Sequence, residues 1–283
     1  YRLMTREQIE RLLFQPGNSQ DHPTKTSICR RRLRLLYHHG LVERFPAPVR
    51  PGAWAWRPVY RLTAKGADLV LDGRVETNPG YWGAEFDRDH RRTRVNLLFL
   101  EHELRVNDVR IALTLAADRQ GYQIEQWLND TQLKGEYMKD YVVVDVGHGR
   151  RQRVAVLPDA YFVLRAGDRR AHFFLELDQA TISNPRWRKR VLGYVSYTAS
   201  GRYQERYKTN SLRILTVTTT PKRLANLQAT TEKAGGGRLF WFTTLTEAKR
   251  ADVLSSAIWR VAGSSEWRTL IVEDGQSDRV QRG

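Results

Sequence analysis

Leu157-Pro158-Asp159-Ala160-Tyr161 and, a short way on, Phe173-Phe174-Leu175-Glu176-Leu177-Asp178 are the stretches whose reading decides the fold. Val154 to Leu164 and Ala171 to Asp178 are rich in branched and aromatic residues, as strands are, and the turn 165–170 joins them. Pro158-Asp159 stands at the opening of one strand and Glu176-Leu177-Asp178 at the close of the next. Side chains alternate along a strand, so Glu176 and Asp178 share one face and Leu177 takes the other. Asp159 begins the neighbouring strand, and the three carboxylates can therefore converge.

Working outward, residues 90–118 read as one long helix, with Val95, Leu98, Phe99, His102, Val106, Val109 and Leu113 at helical spacing. Strands are predicted at Tyr122–Trp127, Tyr141–Val146, Leu212–Thr218 and Leu239–Phe242, and helices from Pro185 to about Ser200 and from Pro221 to Lys233. From about Leu245 the chain reads as helical, then polar and irregular. The order α-β-β-β-α-β resembles the restriction-endonuclease-like fold, whose signature is Pro-Asp followed by (Asp/Glu)-x-Lys. Here Asp178 stands where the Lys belongs. Clustered carboxylates suit Mg²⁺ or Mn²⁺, and such an ion can polarise a phosphate and acidify an attacking water. The candidate catalytic residues are thus Asp159, Glu176, Asp178 and, as a replacement cation on the next helix, Lys189 or Arg190; Asp159 and Glu176 are the candidate metal ligands. Arg190 and Tyr194, at i and i+4, share a helix face and resemble the Gln-x-x-x-Tyr helix of related nucleases. His102 and Asn107, beside Glu101 on the first helix, are possible accessory residues. His148 and His172 have no evident partner, and Trp187 and Tyr197 read as core.

The N-terminal third has a different grammar. Thr5 caps a short helix carrying Ile9, Leu12 and Leu13. A second helix spans about Thr24 to His39 and stops at Gly40. Ile28, Leu33, Leu35 and Leu36 give it an apolar side; Lys25, Arg30, Arg31, Arg32 and Arg34 make it basic. Two strand-like runs follow, Leu41–Phe45 and Val59–Leu62, separated by a Pro-rich loop bearing Arg50, Trp54, Trp56 and Arg57. Thr63-Ala64-Lys65-Gly66 starts another helix. Leu36-Tyr37-His38-His39-Gly40-Leu41-Val42-Glu43-Arg44 followed by Tyr60-Arg61-Leu62-Thr63 resembles winged helix-turn-helix regulators. An α-helix fits the major groove and Arg can donate twice to guanine, so Lys25, Arg30, Arg31, Arg32 and Arg34, with Arg50 and Arg57 of the wing, are the candidate DNA-binding residues.

Composition agrees with a polyanionic partner. Lys plus Arg number 47 against 31 Asp plus Glu, a formal charge of +16. Eight Trp and 41% apolar residues suffice for packed cores, which excludes a wholly disordered basic chain. No apolar run is long enough to span a bilayer. A single cysteine, Cys29, excludes a disulfide framework and points to a reducing, cytoplasmic setting. The predicted organisation is α/β (α+β): a winged-helix domain over 1–72, a linker over 73–89, a nuclease-like domain over 90–250 and a helical then irregular tail over 251–283.

His102-Glu103-Leu104-Arg105-Val106-Asn107-Asp108, Leu157–Tyr161, Phe173–Asp178 with Thr181, Trp187–Tyr197, and Arg213–Thr218 with Arg223 together resemble the replication-relaxation family of bacterial plasmids and mobile elements. Ala180 stands where that family has Gly. The resemblance implies a winged helix joined to a nuclease-like domain, with roles in plasmid replication or DNA relaxation. Double-stranded DNA is the expected partner and, since winged-helix proteins often pair on palindromes, a homodimer the expected assembly. Two functions follow from the residues. One is a DNA-binding protein of replication or relaxation, its nuclease-like domain a DNA-holding or dimerisation platform. The other is an endonuclease that nicks or cuts DNA with Mg²⁺ at Asp159 and Glu176.

Overall fold

The structure, a computed structural model, describes residues 1–14, 25–46, 58–72, 97–135, 139–147 and 149–271. The chain is mixed α/β and divides into two compact units, Tyr1–Ile111 and Ala112–Gly283. The division falls within one helix, Leu97–Arg119 (α4), so its first part belongs to one unit and its last part to the other. The predicted linker, 73–89, lies outside the described residues.

In the first unit, β1 (Met4–Thr5) leads into α1 (Arg6–Leu13), and α2 (Lys25–His38) follows. Thr5 caps α1 as expected: its hydroxyl accepts from the Gln8 amide while the Gln8 side chain accepts from the Thr5 amide. β2 (Val42–Pro46) and β3 (Pro58–Leu62) pair antiparallel, β1 adds to the far side of β3, and α3 (Ala64–Asp72) closes the unit. Cys29 and Leu33 of α2 are buried, with Val42, Val59 and Ala67. Leu35 and Leu36, expected on the apolar side, are exposed, because the buried stripe of α2 runs through Cys29 and Leu33.

The second unit is built on a mixed sheet. Among the described residues its order is β12 (Trp267–Arg268), β11 (Trp259–Val261), β10 (Phe240–Thr244), β9 (Arg213–Thr218), β8 (Arg169–Leu177), β7 (Ala160–Ala166), β4 (Gln123–Asn129). β8 pairs antiparallel with β7 and parallel with β9, and β9 is parallel to β10. The predicted strand Val154–Leu164 is in fact two. Pro158 lacks an N–H and breaks the ladder, so β6 (Arg151–Val156) pairs instead with β5 (Asp140–Asp145) in a separate hairpin. A short helix, α5 (Asp130–Leu133), follows β4, and α6 (Asn184–Ala199), α7 (Arg202–Tyr207), α8 (Pro221–Lys233) and α9 (Leu245–Arg250) complete the unit. Beyond residue 250 the chain does not continue as a helix. Trp259 and Val261 are buried and carry the sheet onward.

Alternation along the central strands sorts the core into two faces. Trp127, Phe162 and Phe173 stack on one side, with centroids 5.2 and 4.8 Å apart. Tyr161, Val163 and Phe174 meet Trp187, Val191, Tyr194 and Tyr197 of α6 on the other, where Leu227 of α8 also packs. The Trp187 indole donates to the Thr231 hydroxyl at 2.9 Å. Trp187 and Tyr197 are fully buried, as their spacing predicts.

Candidate functional site

α2 carries the basic stripe. Arg30, Arg31, Arg32 and Arg34 are all exposed, and Lys25 is half-buried. None of the four Arg side chains has an ion pair or hydrogen bond among the described residues; Arg32 sits over the Phe14 ring at 5.6 Å. Among the described residues this helix thus bears charge with no internal counterion, which concentrates positive potential on its surface. Its geometry is set from behind by a small network. Gly40 ends α2 with φ +67°, a conformation that favours glycine. The Thr63 hydroxyl donates to the Gly40 carbonyl at 2.6 Å and accepts from the Gly66 amide at 3.1 Å. Lys65 Nζ donates to the His39 carbonyl at 3.1 Å. Arg50, Trp54, Trp56 and Arg57 lie outside the described residues.

In the second unit the sheet brings the carboxylates toward the helical face. Glu176, near the end of β8, is 1% exposed. Its Oε1 accepts from the Tyr194 hydroxyl and its Oε2 from Arg190 Nη1, so the i, i+4 pair of α6 closes on one carboxylate. Burial pushes the Glu176 carboxyl up, to about 7; the Asp159 charge adds to this and Arg190 and Tyr194 oppose it. The Glu176 charge in turn raises the Arg190 guanidinium, and burial raises the Tyr194 hydroxyl. Asp159 Oδ2 accepts from the Leu177 amide at 2.7 Å, tying the two strands together at their carboxylate end. Asp178 lies one residue beyond β8. Its Oδ2 accepts from Arg223 Nε at 2.8 Å, the Thr218 hydroxyl at 2.7 Å and the Ala180 amide at 3.1 Å, and its Oδ1 from Arg223 Nη2 at 2.9 Å. Burial alone would raise Asp178, but hydrogen bonds from Arg223 and Thr218 and the Arg223 charge outweigh it and hold the carboxyl below the ordinary aspartate range. Ala180 adopts φ +61°, the left-handed region, which explains why a glycine would be at home there.

The sequence reading brought Asp159, Glu176 and Asp178 together; the structure pairs Glu176 with Arg190 and Asp178 with Arg223, while Asp159 accepts from the Leu177 amide. Of the two residues expected to supply the replacement cation, Lys189 is half-buried on α6 and Arg190 is the one that reaches Glu176. Glu176 and Asp178 as placed do not fit a divalent cation. Each oxygen of Glu176 and of Asp178 already accepts from a protein donor, and a guanidinium occupies the approach to both carboxylates. Among the described residues no three of His, Cys, Asp and Glu are grouped as a metal site. In the first unit, Asn107 is buried and donates to the Leu3 carbonyl at 2.6 Å, while His102 is half-buried on the same helix.

The family model for replication-relaxation matches residues 1–212, most of the chain. The chain belongs to the replication-relaxation family. No curated protein and no solved structure matches it. Membership suggests a role in the replication or relaxation of plasmids or mobile elements, and interaction with DNA. No helix among the described residues is long and apolar enough to cross a membrane.

The part of the replication-relaxation protein that matches includes α2 and the Glu176–Arg190–Tyr194 set, and it stops short of β9. Arg213–Thr218 and Arg223, which the sequence reading placed within the resemblance, therefore lie beyond the match. The role of Arg223 as the partner of Asp178 was not foreseen; its position three residues after the cap Thr220 of α8 is the signal that could have found it. Asp140 was missed as well. It accepts from the Tyr197 hydroxyl and bidentately from Arg206, linking the hairpin to α6 and α7. His172 has a partner after all, the Tyr161 hydroxyl at 2.7 Å from Nδ1. His148 lies outside the described residues.

Proposed function

We propose that this member of the family is a double-stranded-DNA-binding protein that reads DNA through α2, with a first unit of the winged-helix kind and a second unit whose restriction-endonuclease-like arrangement serves as a DNA-holding or dimerisation platform. One observation carries the reading: four arginines within little more than one turn of α2 are exposed and, among the described residues, uncompensated, in a chain of net charge +16. The order of α1, α2, β2, β3 and α3 supports the winged-helix assignment. The run of α4, β4, β7, β8, α6 and β9, with β5–β6 as an insertion, supports the nuclease-like one. The internal saturation of Glu176 and Asp178 by Arg190, Tyr194 and Arg223 supports the platform role. A homodimer on a two-fold site in the bacterial cytoplasm belongs to the same reading.

The test is anisotropy of a labelled duplex titrated with the full chain, with EDTA and without. Tight binding in EDTA, weakened at least tenfold by Arg30→Ala/Arg31→Ala/Arg34→Ala at unchanged thermal stability, is the expected result. Unaltered affinity of the triple variant would remove α2 as the reader. Incubation with supercoiled plasmid in Mg²⁺ or Mn²⁺ addresses the endonuclease alternative: intact plasmid is expected, and nicks abolished by Asp159→Ala or Glu176→Ala would overturn the platform role.

A further inference from the structure

We propose that the hairpin β5–β6 is a second contact for duplex DNA, a two-stranded ribbon that lays its outward face in the major groove. This shares with the proposed function the premise that the partner is a DNA duplex, but it places a contact on a different unit from α2, and the test separates the two.

The hairpin is amphipathic across its thickness. Val142, Val144, Val154 and Val156 are buried against the α6 side of the core. The packing is close: a Cβ at Gly193 of α6 would meet Val154 Cγ1 at 3.2 Å. The ribbon is thus held on a rigid helix rather than swinging on its own, which is what a recognition element requires. The outward residues are fixed by the register, in which Tyr141 faces Ala155, Val143 faces Arg153 and Asp145 faces Arg151.

That outward face differs from several other arginine sites of the second unit. Arg170, Arg206 and Arg223 each close on a carboxylate, Glu125, Asp140 and Asp178 respectively. Arg150, Arg151 and Arg153 are exposed and have neither ion pair nor hydrogen bond from their side chains among the described residues. The one carboxylate on this face, Asp145, turns an oxygen to the Gly147 amide at 2.7 Å and caps the bend. The Arg153 guanidinium lies over the Tyr141 ring at 4.0 Å, a contact that restrains it without neutralising its charge. Arg202, also exposed, donates to the Tyr141 carbonyl and adds charge at one end. Val143, 59% exposed, stands between the arginines where an apolar contact with a thymine methyl is geometrically natural.

Size and charge both select duplex DNA. Strands of this length extend about 20 Å, and a groove roughly 12 Å wide admits a two-stranded ribbon. A protein partner is disfavoured, since interface centres are depleted of charge, whereas unpaired arginines are what phosphate and guanine edges recruit.

The experiment is duplex binding by the full chain carrying Arg151→Ala/Arg153→Ala, alongside the α2 triple variant, read as affinity and as the dependence of affinity on salt. The expected result is about a tenfold loss of affinity and a salt slope shallower by roughly two. Arg151→Lys/Arg153→Lys should recover the slope because the charge returns. Loss in the ribbon variant with none in the α2 variant upholds the ribbon and removes α2 as reader; the reverse removes the ribbon alone. A ribbon variant that leaves affinity and slope unchanged, or that alters only the sedimentation of the protein, overturns the proposal. So does a wild-type chain that binds no duplex.

Discussion

Glu176 is the residue on which the second unit is most exposed to error. It is a buried carboxylate whose two oxygens are held by Tyr194 and Arg190. Removing one partner of a buried pair costs about 3–5 kcal/mol, because the charge left behind has no solvent. In Arg190→Met nothing cationic offsets burial and the Asp159 charge, so the carboxyl, already raised to about 7, rises further. A raised carboxyl favours the protonated folded form. Its contribution is intact below the ordinary value of 4.5 and lost as pH rises through the folded-state value. Denaturant titrations of Arg190→Met should show a larger loss at about pH 8 than at about pH 5; equal losses would mean that Glu176 does not titrate there. Asp178 behaves oppositely. Its depressed carboxyl stabilises the fold above the ordinary value of 3.8, and that stability disappears as pH falls below it. Asp178→Asn should therefore flatten the acid limb of the stability curve, and an acid limb unchanged from wild type would contradict the Arg223 pairing as its source.

At the scale of elements, the junction between α2 and α3 can be tested at one atom. A Cβ at Gly66 would stand 2.0 Å from the Leu41 carbonyl oxygen, a backbone atom that cannot step aside. Gly66→Ala is expected to destabilise the first unit by roughly 2–4 kcal/mol, seen as a lower thermal midpoint; a neutral effect would show that α3 can lift off Leu41. The phrase Gly40-Leu41-Val42 with Thr63-Ala64-Lys65-Gly66 was legible in the sequence because each residue has a local duty: a left-handed stop, a cap, a close approach. The helix Pro221–Lys233 was legible to the residue, since Thr220 and Pro221 mark its start. What failed to show was partnership. Val154–Leu164 looked like one strand because branched residues continue on both sides of Pro158, and only the tertiary ladders reveal two sheets. Asp159, Glu176 and Asp178 were found by spacing, but the pairing of Glu176 with Arg190 and of Asp178 with Arg223 depends on how α6 and α8 pack on the sheet, and spacing along the strands does not encode it.

For the whole molecule, charge sets the behaviour. The uncompensated arginines of α2 and of the β5–β6 hairpin can neutralise up to about seven phosphates between them, so the logarithm of duplex affinity should fall against the logarithm of salt with a slope on the order of −6. A slope shallower than about −2 would mean that most of these arginines never meet a phosphate. Sheet connectivity has its own consequence. The central strand β8 has its parallel neighbour β9 only after α6 and α7, with Phe173 facing Arg213 and Leu177 facing Val217. A chain ended at residue 212 would leave the Phe173–Leu177 edge bare, and a long apolar edge recruits strands from other molecules. On the ribosome the same edge waits open until the β9 segment emerges, so the order of synthesis gives this protein an interval in which it is sticky, and a partner that shields that edge during translation would raise the yield of folded chains.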